Sequence, residues 1–196
     1  MIVCGIDPSL KATAVVVGPA GEYPESRVFS SYRVDGTVNG RFARYENQIA
    51  NLCDYLERWK PDIAYIEDYV FGRWDVTPIT EYGALLRWSV LEFCPVIEVA
   101  PTTLKKFAVG YGGSKGNPVG KPQVIEALRS HFHVDFATDD EYDAYAAWRL
   151  GCLASGLEQP TRPHELQCVQ TVVTSSEKKR GNKNAKESKG SARKAK

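Results

Sequence analysis

The chain has 196 residues and a mass of 21.8 kDa, with 43% hydrophobic residues, 11% aromatics and a formal net charge of +1. That length points to one domain with an appendage rather than two full domains, and the apolar content excludes a wholly disordered chain. No run approaches the ~18 consecutive apolar residues of a membrane helix, and no signal-peptide pattern opens the chain, so a soluble, cytoplasmic protein without a membrane partner is expected.

Ile2–Asp7 is a short apolar run rich in β-formers, and it reads as a strand that stops at the turn Asp7-Pro8-Ser9. Thr13–Gly18 is a second strand, and Arg27–Val34, with β-branched and aromatic residues in alternation, a third. Short connections make these three a meander. The period then changes. Phe42, Tyr45, Ile49, Leu52, Leu56 and Trp59 step by three or four, one face of a helix that Pro61 ends. Ile63–Glu67 is the next buried strand. A helix over Thr80–Phe93 is closed by Pro95 and followed by a fifth strand at Val96–Ala100 and a short helix around Thr103–Val109. Gly110–Gly120 is a loop with five glycines around Lys115, and Pro122–Phe132 is amphipathic and helical. The last helix runs from Asp139 to about Leu153, with Thr138 and Glu141 as its capping box. This order, βββ-α-β-α-β-α, predicts an α/β fold: a mixed five-stranded sheet with helices packed on it.

Beyond Gln159 the Pro and polar content rises and no further core element is evident, so the expected division is a domain over 1–158 and a disordered tail over 159–196. The tail reverses the charge of the body. Ser175–Lys196 holds nine basic and two acidic residues, net +7, which leaves 16 basic and 22 acidic residues, net −6, for Met1–Thr174. Such tails contact polyanions, nucleic acid above all; the bland alternative is a solvated terminus. The cysteines (4, 53, 94, 152 and 168) are odd in number, widely spaced and without a C-x-x-C, which argues against a disulfide framework or a zinc site.

Four carboxylates stand where carboxylates are hard to explain. Asp7 and Glu67 end two strands apolar enough to be central in the sheet. Asp140 and Asp143 lie three apart on the last helix, whose small Ala144, Ala146 and Ala147 allow close approach to the sheet. Each acid has an ordinary explanation alone: turn chemistry for Asp7, a solvated strand end for Glu67, dipole compensation for Asp139 and Asp140. Together they predict an oxygen-rich site that needs cations between its charges, Mg²⁺ or Mn²⁺, and four such ligands suit two-ion phosphodiester hydrolysis. Asp139 is an alternative to Asp140, because it lies i, i+4 from Asp143.

The ordered set Gly5-Ile6-Asp7-Pro8-Ser9, Ile66-Glu67 and Asp140-x-x-Asp143-Ala144 resembles the RuvC-type Holliday junction resolvases of the ribonuclease H-like superfamily. Ala100-Pro101 with Leu104-Lys105, and Gly120-Lys121-Pro122-Gln123-Val124, extend the resemblance, which covers about residues 1–156. It implies a ribonuclease H-like sheet, with Asp7, Glu67, Asp140 and Asp143 as catalytic ligands of two Mg²⁺ ions, Mn²⁺ substituting. It implies that Lys105 and Lys121 act near the scissile phosphate, with Lys106 and Lys115 as further DNA contacts. It also implies an aromatic contact to the junction shortly after Glu67, for which Tyr69, Phe71 and Trp74 qualify. The activity it implies is symmetric nicking of four-way DNA junctions by a homodimer. The helix Thr80–Phe93, with Tyr82, Leu85, Leu86 and Val90, is the candidate interface, although these residues read equally well as core. The alternatives are a nuclease of the same fold acting on flaps, forks or RNA–DNA hybrids, and a non-catalytic DNA-binding module.

Overall fold

The computed structural model describes residues 1–31, 36–68, 77–114 and 116–177. Its strands are β1 (Ile2–Asp7), β2 (Ala12–Pro19), β3 (Glu25–Ser30), β4 (Ile63–Glu67) and β5 (Val96–Val99). Its helices are α1 (Val38–Trp59), α2 (Thr77–Leu91), α3 (Pro101–Val109), α4 (Lys121–Phe132) and α5 (Asp139–Ala154). A further helix, α6, spans 163–177. The sheet order is β3-β2-β1-β4-β5, antiparallel on the β3 side of β1 and parallel on the β5 side. This is the expected mixed, five-stranded α/β sheet.

Both faces of the sheet are covered, which is why β1 and β2 read as nearly continuous apolar runs. Successive side chains point to opposite faces. Val3, Ala14, Val16 and Tyr65 join α3, α4, α5 and α6 in one core. Cys4, Ile6, Val15, Val17, Ala64 and Ile66 join α1 and α2 in the other. All five cysteines are free thiols. Among the described residues no helix is long and apolar enough to cross a membrane.

β3 begins and ends earlier than the alternation over Arg27–Val34 suggests. Its register is set by β2, from Val17 opposite Glu25 to Ala12 opposite Ser30, and pairing stops where β2 starts. On α2, Tyr82, Leu86 and Val90 are fully buried core residues, so of the candidate interface only Leu85 faces outward, beside Trp88 and Leu91.

The segment from 159 also departs from its expected reading, because α6 packs on the core through Cys168 and Val172. Pro163 stands at its first position, where the missing N–H is no loss. Glu165 caps it, accepting from the backbone N–H of Thr161 at 2.7 Å and of Arg162 at 2.9 Å.

Candidate metal centre

β1 and β4 are parallel neighbours, with Ile6 opposite Ile66. The next residue on each strand is an acid, so the register sets Asp7 and Glu67 abreast at the carboxyl edge of the sheet. α5 crosses this end of β1 at close range because Gly5 has no side chain. A Cβ there would overlap the Ala144 carbonyl and the Trp148 backbone nitrogen, and would sit 2.7 Å from the Trp148 Cβ. The start of α5 is pinned as well. Thr138 Oγ1 accepts from the Glu141 N–H at 3.3 Å, and Glu141 Oε2 accepts from the Thr138 N–H at 2.9 Å, a reciprocal capping box. Glu141 Oε1 also accepts from Ser26 Oγ at 2.7 Å, which ties the cap to β3.

Held this way, α5 brings Asp143 to the strand tips. One carboxylate oxygen each from Asp7, Glu67 and Asp143 lie within 4.8 Å of one another. Burial raises Asp7 well above the usual carboxylate range, and the charges of Glu67, Asp143 and Asp140 raise it further. Burial also pushes Glu67 up to about 7, with Asp143 adding to the effect. Asp143 is pushed up to about 6, again mainly by burial, with Lys121 opposing. Three ionised carboxylates with oxygens this close repel one another strongly in a buried setting. The cluster therefore needs either protons or cations between its oxygens. Its donors are all hard oxygens, and they fit Mg²⁺ or Mn²⁺.

Two lysines face the same point. Lys121, the first residue of α4, places Nζ 2.7 Å from Asp139 Oδ2, 3.2 Å from Asp140 Oδ1 and 3.8 Å from Asp143 Oδ2. Partial burial pulls its pKa down, but the hydrogen bonds to Asp139 and Asp140 outweigh that and hold it above the usual lysine range. The charge of Lys105, on α3, is felt at the cluster and lowers both Glu67 and Asp143. Of the two adjacent acids, Asp140 is near enough to raise Asp7. The Asp139 side chain is 48% exposed, and its bond to Lys121 holds its pKa down.

The fold thus brings together Asp7, Glu67, Asp140, Asp143, Lys105 and Lys121 from five elements. Lys106 is not with them. Its charge is felt by His164 and Cys168, on the α6 side of α3. Lys115, Tyr69, Phe71 and Trp74 lie outside the described residues.

One residue of this centre was missed in the sequence. Arg87, on α2, is 9% exposed. It donates from Nη2 to the Glu67 carbonyl at 2.8 Å, from Nε to Glu98 Oε1 at 3.0 Å and from Nη1 to the Gly83 carbonyl at 3.1 Å. It clamps the tip of β4 to β5 and α2. An Arg embedded among Tyr82, Leu86 and Val90 was the available signal, since an arginine on an apolar helix face needs buried partners.

No family model matches the chain. It is 29% identical over 152 residues to the crossover junction endodeoxyribonuclease RuvC of Prochlorococcus marinus subsp. pastoris, covering 74% of this chain and 92% of that one. It is also 29% identical over 153 residues to the enzyme of the same name from Thermomicrobium roseum, covering 74% and 89%. Among solved structures, Thermus thermophilus RuvC superposes with a TM-score of 0.58 at 21% identity, over 80% of this chain and 96% of that one. The same protein in complex with its Holliday junction substrate gives 0.60 at 19%, over 76% and 90%. At those identities the structures speak for the fold, which is the ribonuclease H-like one. Over most of both chains this protein is similar in sequence to RuvC-type Holliday junction resolvases, and it shares their fold.

Proposed function

We propose that the chain is a cytoplasmic, metal-dependent endodeoxyribonuclease that resolves four-way DNA junctions by paired, symmetric nicks. The observation that carries this reading is the convergence of four carboxylates and two lysines at the carboxyl edge of the sheet. The names of the relatives and the junction bound to the Thermus thermophilus protein supply the substrate.

In this reading Asp7, Glu67, Asp140 and Asp143 hold two divalent cations, Mg²⁺ or Mn²⁺. The cations would supply an activated water at the scissile phosphorus and stabilise the departing 3′ oxygen, leaving 5′-phosphate and 3′-hydroxyl ends. The chain's own part is positional and electrostatic. The β1–β4 register fixes the spacing of Asp7 and Glu67, and the α5 cap fixes Asp140 and Asp143. Arg87 keeps the Glu67 backbone from shifting as charge at the site changes. Lys105 and Lys121 offset the negative charge that gathers on the phosphate in the transition state.

Cutting two strands symmetrically requires two such centres related by a two-fold axis, hence a homodimer. α2 offers the surface for it. Leu85 is 39% exposed, Trp88 71% and Leu91 55%, three large apolar residues on one helix face. α2 also carries Arg87, so the helix that presents this face holds the tip of β4 as well.

The test is cleavage in Mg²⁺ of a labelled synthetic four-way junction beside linear duplex, a flap and an RNA–DNA hybrid. Paired nicks confined to the junction are expected. Equal or better cutting of the flap or the hybrid would move the substrate assignment and leave the metal centre in place.

A further inference from the structure

The starts of two helices meet at the metal centre, and each is fixed by its own cap. Lys121 is the first residue of α4, where the Gly120 N–H donates to Gln123 Oε1 at 2.8 Å. Asp139 is the first residue of α5, directly after Thr138 of the Thr138–Glu141 capping box. With both backbones held, the lysine meets three acids of α5, and its contact with Asp139 Oδ2, at 2.7 Å, is the shortest.

By ordinary helix rules the lysine is badly placed. A cation at a helix N-terminus opposes the macrodipole, and the first turn of α4 has no acid to offset it. The first turn of α5 has three, Asp139, Asp140 and Glu141. Glu141 is taken up by the cap and by Ser26. Asp140 and, one turn on, Asp143 belong to the ligand set proposed above. That leaves Asp139, whose side chain is the most exposed of the lysine's three partners. The partners differ in what a cation does to them. Divalent ions on the four ligand carboxylates cancel the charge of Asp140 and Asp143, and with it their attraction for the ammonium. Asp139 lies outside that set and keeps its charge.

We infer that Asp139 is a positioning residue and not a metal ligand: it holds Lys121 Nζ at the edge of the centre while Asp140 and Asp143 are occupied by cations. This rests on the reading of the chain as a metal-dependent nuclease. A lysine without an anionic partner swings on a flexible four-carbon stem. One tethered to Asp139 stays within reach of the scissile phosphate and has less freedom to lose when charge develops there. The pair is too exposed to add much to the stability of the fold, so its loss is felt in the chemistry.

The experiment uses the full-length chain with Asp139→Asn, Asp139→Glu, Lys121→Ala, the double variant D139N/K121A, and Asp140→Asn as the ligand control. Single-turnover cleavage of a labelled four-way junction is measured in Mg²⁺, and Mn²⁺ binding is measured without DNA by paramagnetic resonance of the free ion. Asp139→Asn should slow cleavage about tenfold, less than the ~100-fold expected of removing the lysine itself, and should bind Mn²⁺ as the wild type does. Asp139→Glu should restore most of the rate. In the Lys121→Ala background Asp139→Asn should cost nothing further, because a residue that acts through a partner has no effect once the partner is gone. Three results would each overturn the inference. One is Mn²⁺ affinity falling in Asp139→Asn as far as in Asp140→Asn, which would make Asp139 a ligand. The others are equal slowing with and without Lys121, and a wild-type rate in Asp139→Asn. A last readout needs no turnover. Acetylation of Lys121 by sulfosuccinimidyl acetate in Mn²⁺, followed by mass spectrometry, should run several-fold faster in Asp139→Asn than in the wild type; equal rates would also overturn the inference. A wild-type chain that shows this protection but cuts no branched substrate would sink the nuclease reading and leave the pairing standing.

Discussion

At the scale of single residues, the centre is defined by carboxyls that hold protons where exposed carboxyls would not. Glu67 is pushed up to about 7 and Asp143 to about 6, and Asp7 is raised with them. Without a cation the folded chain binds more protons than the unfolded one from about pH 4 up to that range. Stability from these groups is therefore full below the ordinary carboxylate pKa and is lost as pH rises through the raised values. A divalent cation replaces the protons, so its stabilising effect grows with pH. The rise in melting temperature on adding Mn²⁺ should be larger at pH 7.5 than at pH 5.5; a smaller rise at pH 7.5 would mean that these carboxyls do not share a cation. Arg87 makes a second test. Replacing it with Lys removes the fork that holds the Glu67 carbonyl and Glu98 together while keeping the charge. Metal affinity, read from the Mn²⁺ dependence of cleavage, should weaken about 10–100-fold, as for the outer partners of metal ligands generally. Unchanged affinity would show that β4 needs no clamp. The candidate ligands Asp7 and Glu67 were legible in the sequence because an acid that ends an apolar strand has few ordinary explanations. Arg87 was not, because its role exists only once α2, β4 and β5 are packed.

At the scale of elements, the centre depends on how close α5 comes to β1. Gly5, beneath Ala144 and Trp148, sets that distance, and Gly151, against the Tyr65 ring, lets the same helix lie close to β4. Gly5→Ala puts a methyl group into backbone atoms that cannot yield as a flexible side chain would. We expect a loss of about 1–3 kcal/mol or more in stability, measured by denaturant unfolding, and a loss of cleavage out of proportion to it, because α5 carries Asp140 and Asp143 away from Asp7. A variant of full activity would show that the helix has room to spare. β1, β4 and the capping box of α5 were legible from local pattern alone. α6 was not. Its signals are one proline at a permitted position, one acid that caps and two small buried residues, Cys168 and Val172, and in a polar stretch that combination reads as a terminus. β3 was placed late because an edge strand takes its limits from its neighbour rather than from its own alternation.

At the scale of the whole molecule, one chain has one centre, and a four-way junction presents two strands to be cut. In the proposed dimer the α2 face with Leu85, Trp88 and Leu91 receives the second copy, so Trp88→Glu should shift the protein towards a monomer in sedimentation. The same variant should yield single nicks in a supercoiled cruciform plasmid where the wild type linearises it. A variant that remained dimeric would place the interface elsewhere. The helix was legible in the sequence as a candidate interface, but its outward residues were not, since α2 carries apolar residues on more than one face and only packing decides that Leu85, Trp88 and Leu91 are left outside. The central claim, that the strand-tip carboxylates carry the chemistry, is tested most directly with Glu67→Gln in the full chain. Junction affinity and junction cleavage are measured on the same preparation in Mg²⁺. The account predicts wild-type binding and a loss of cleavage beyond the ~100-fold that an outer partner's loss would cause. Cleavage within a few-fold of wild type would contradict it.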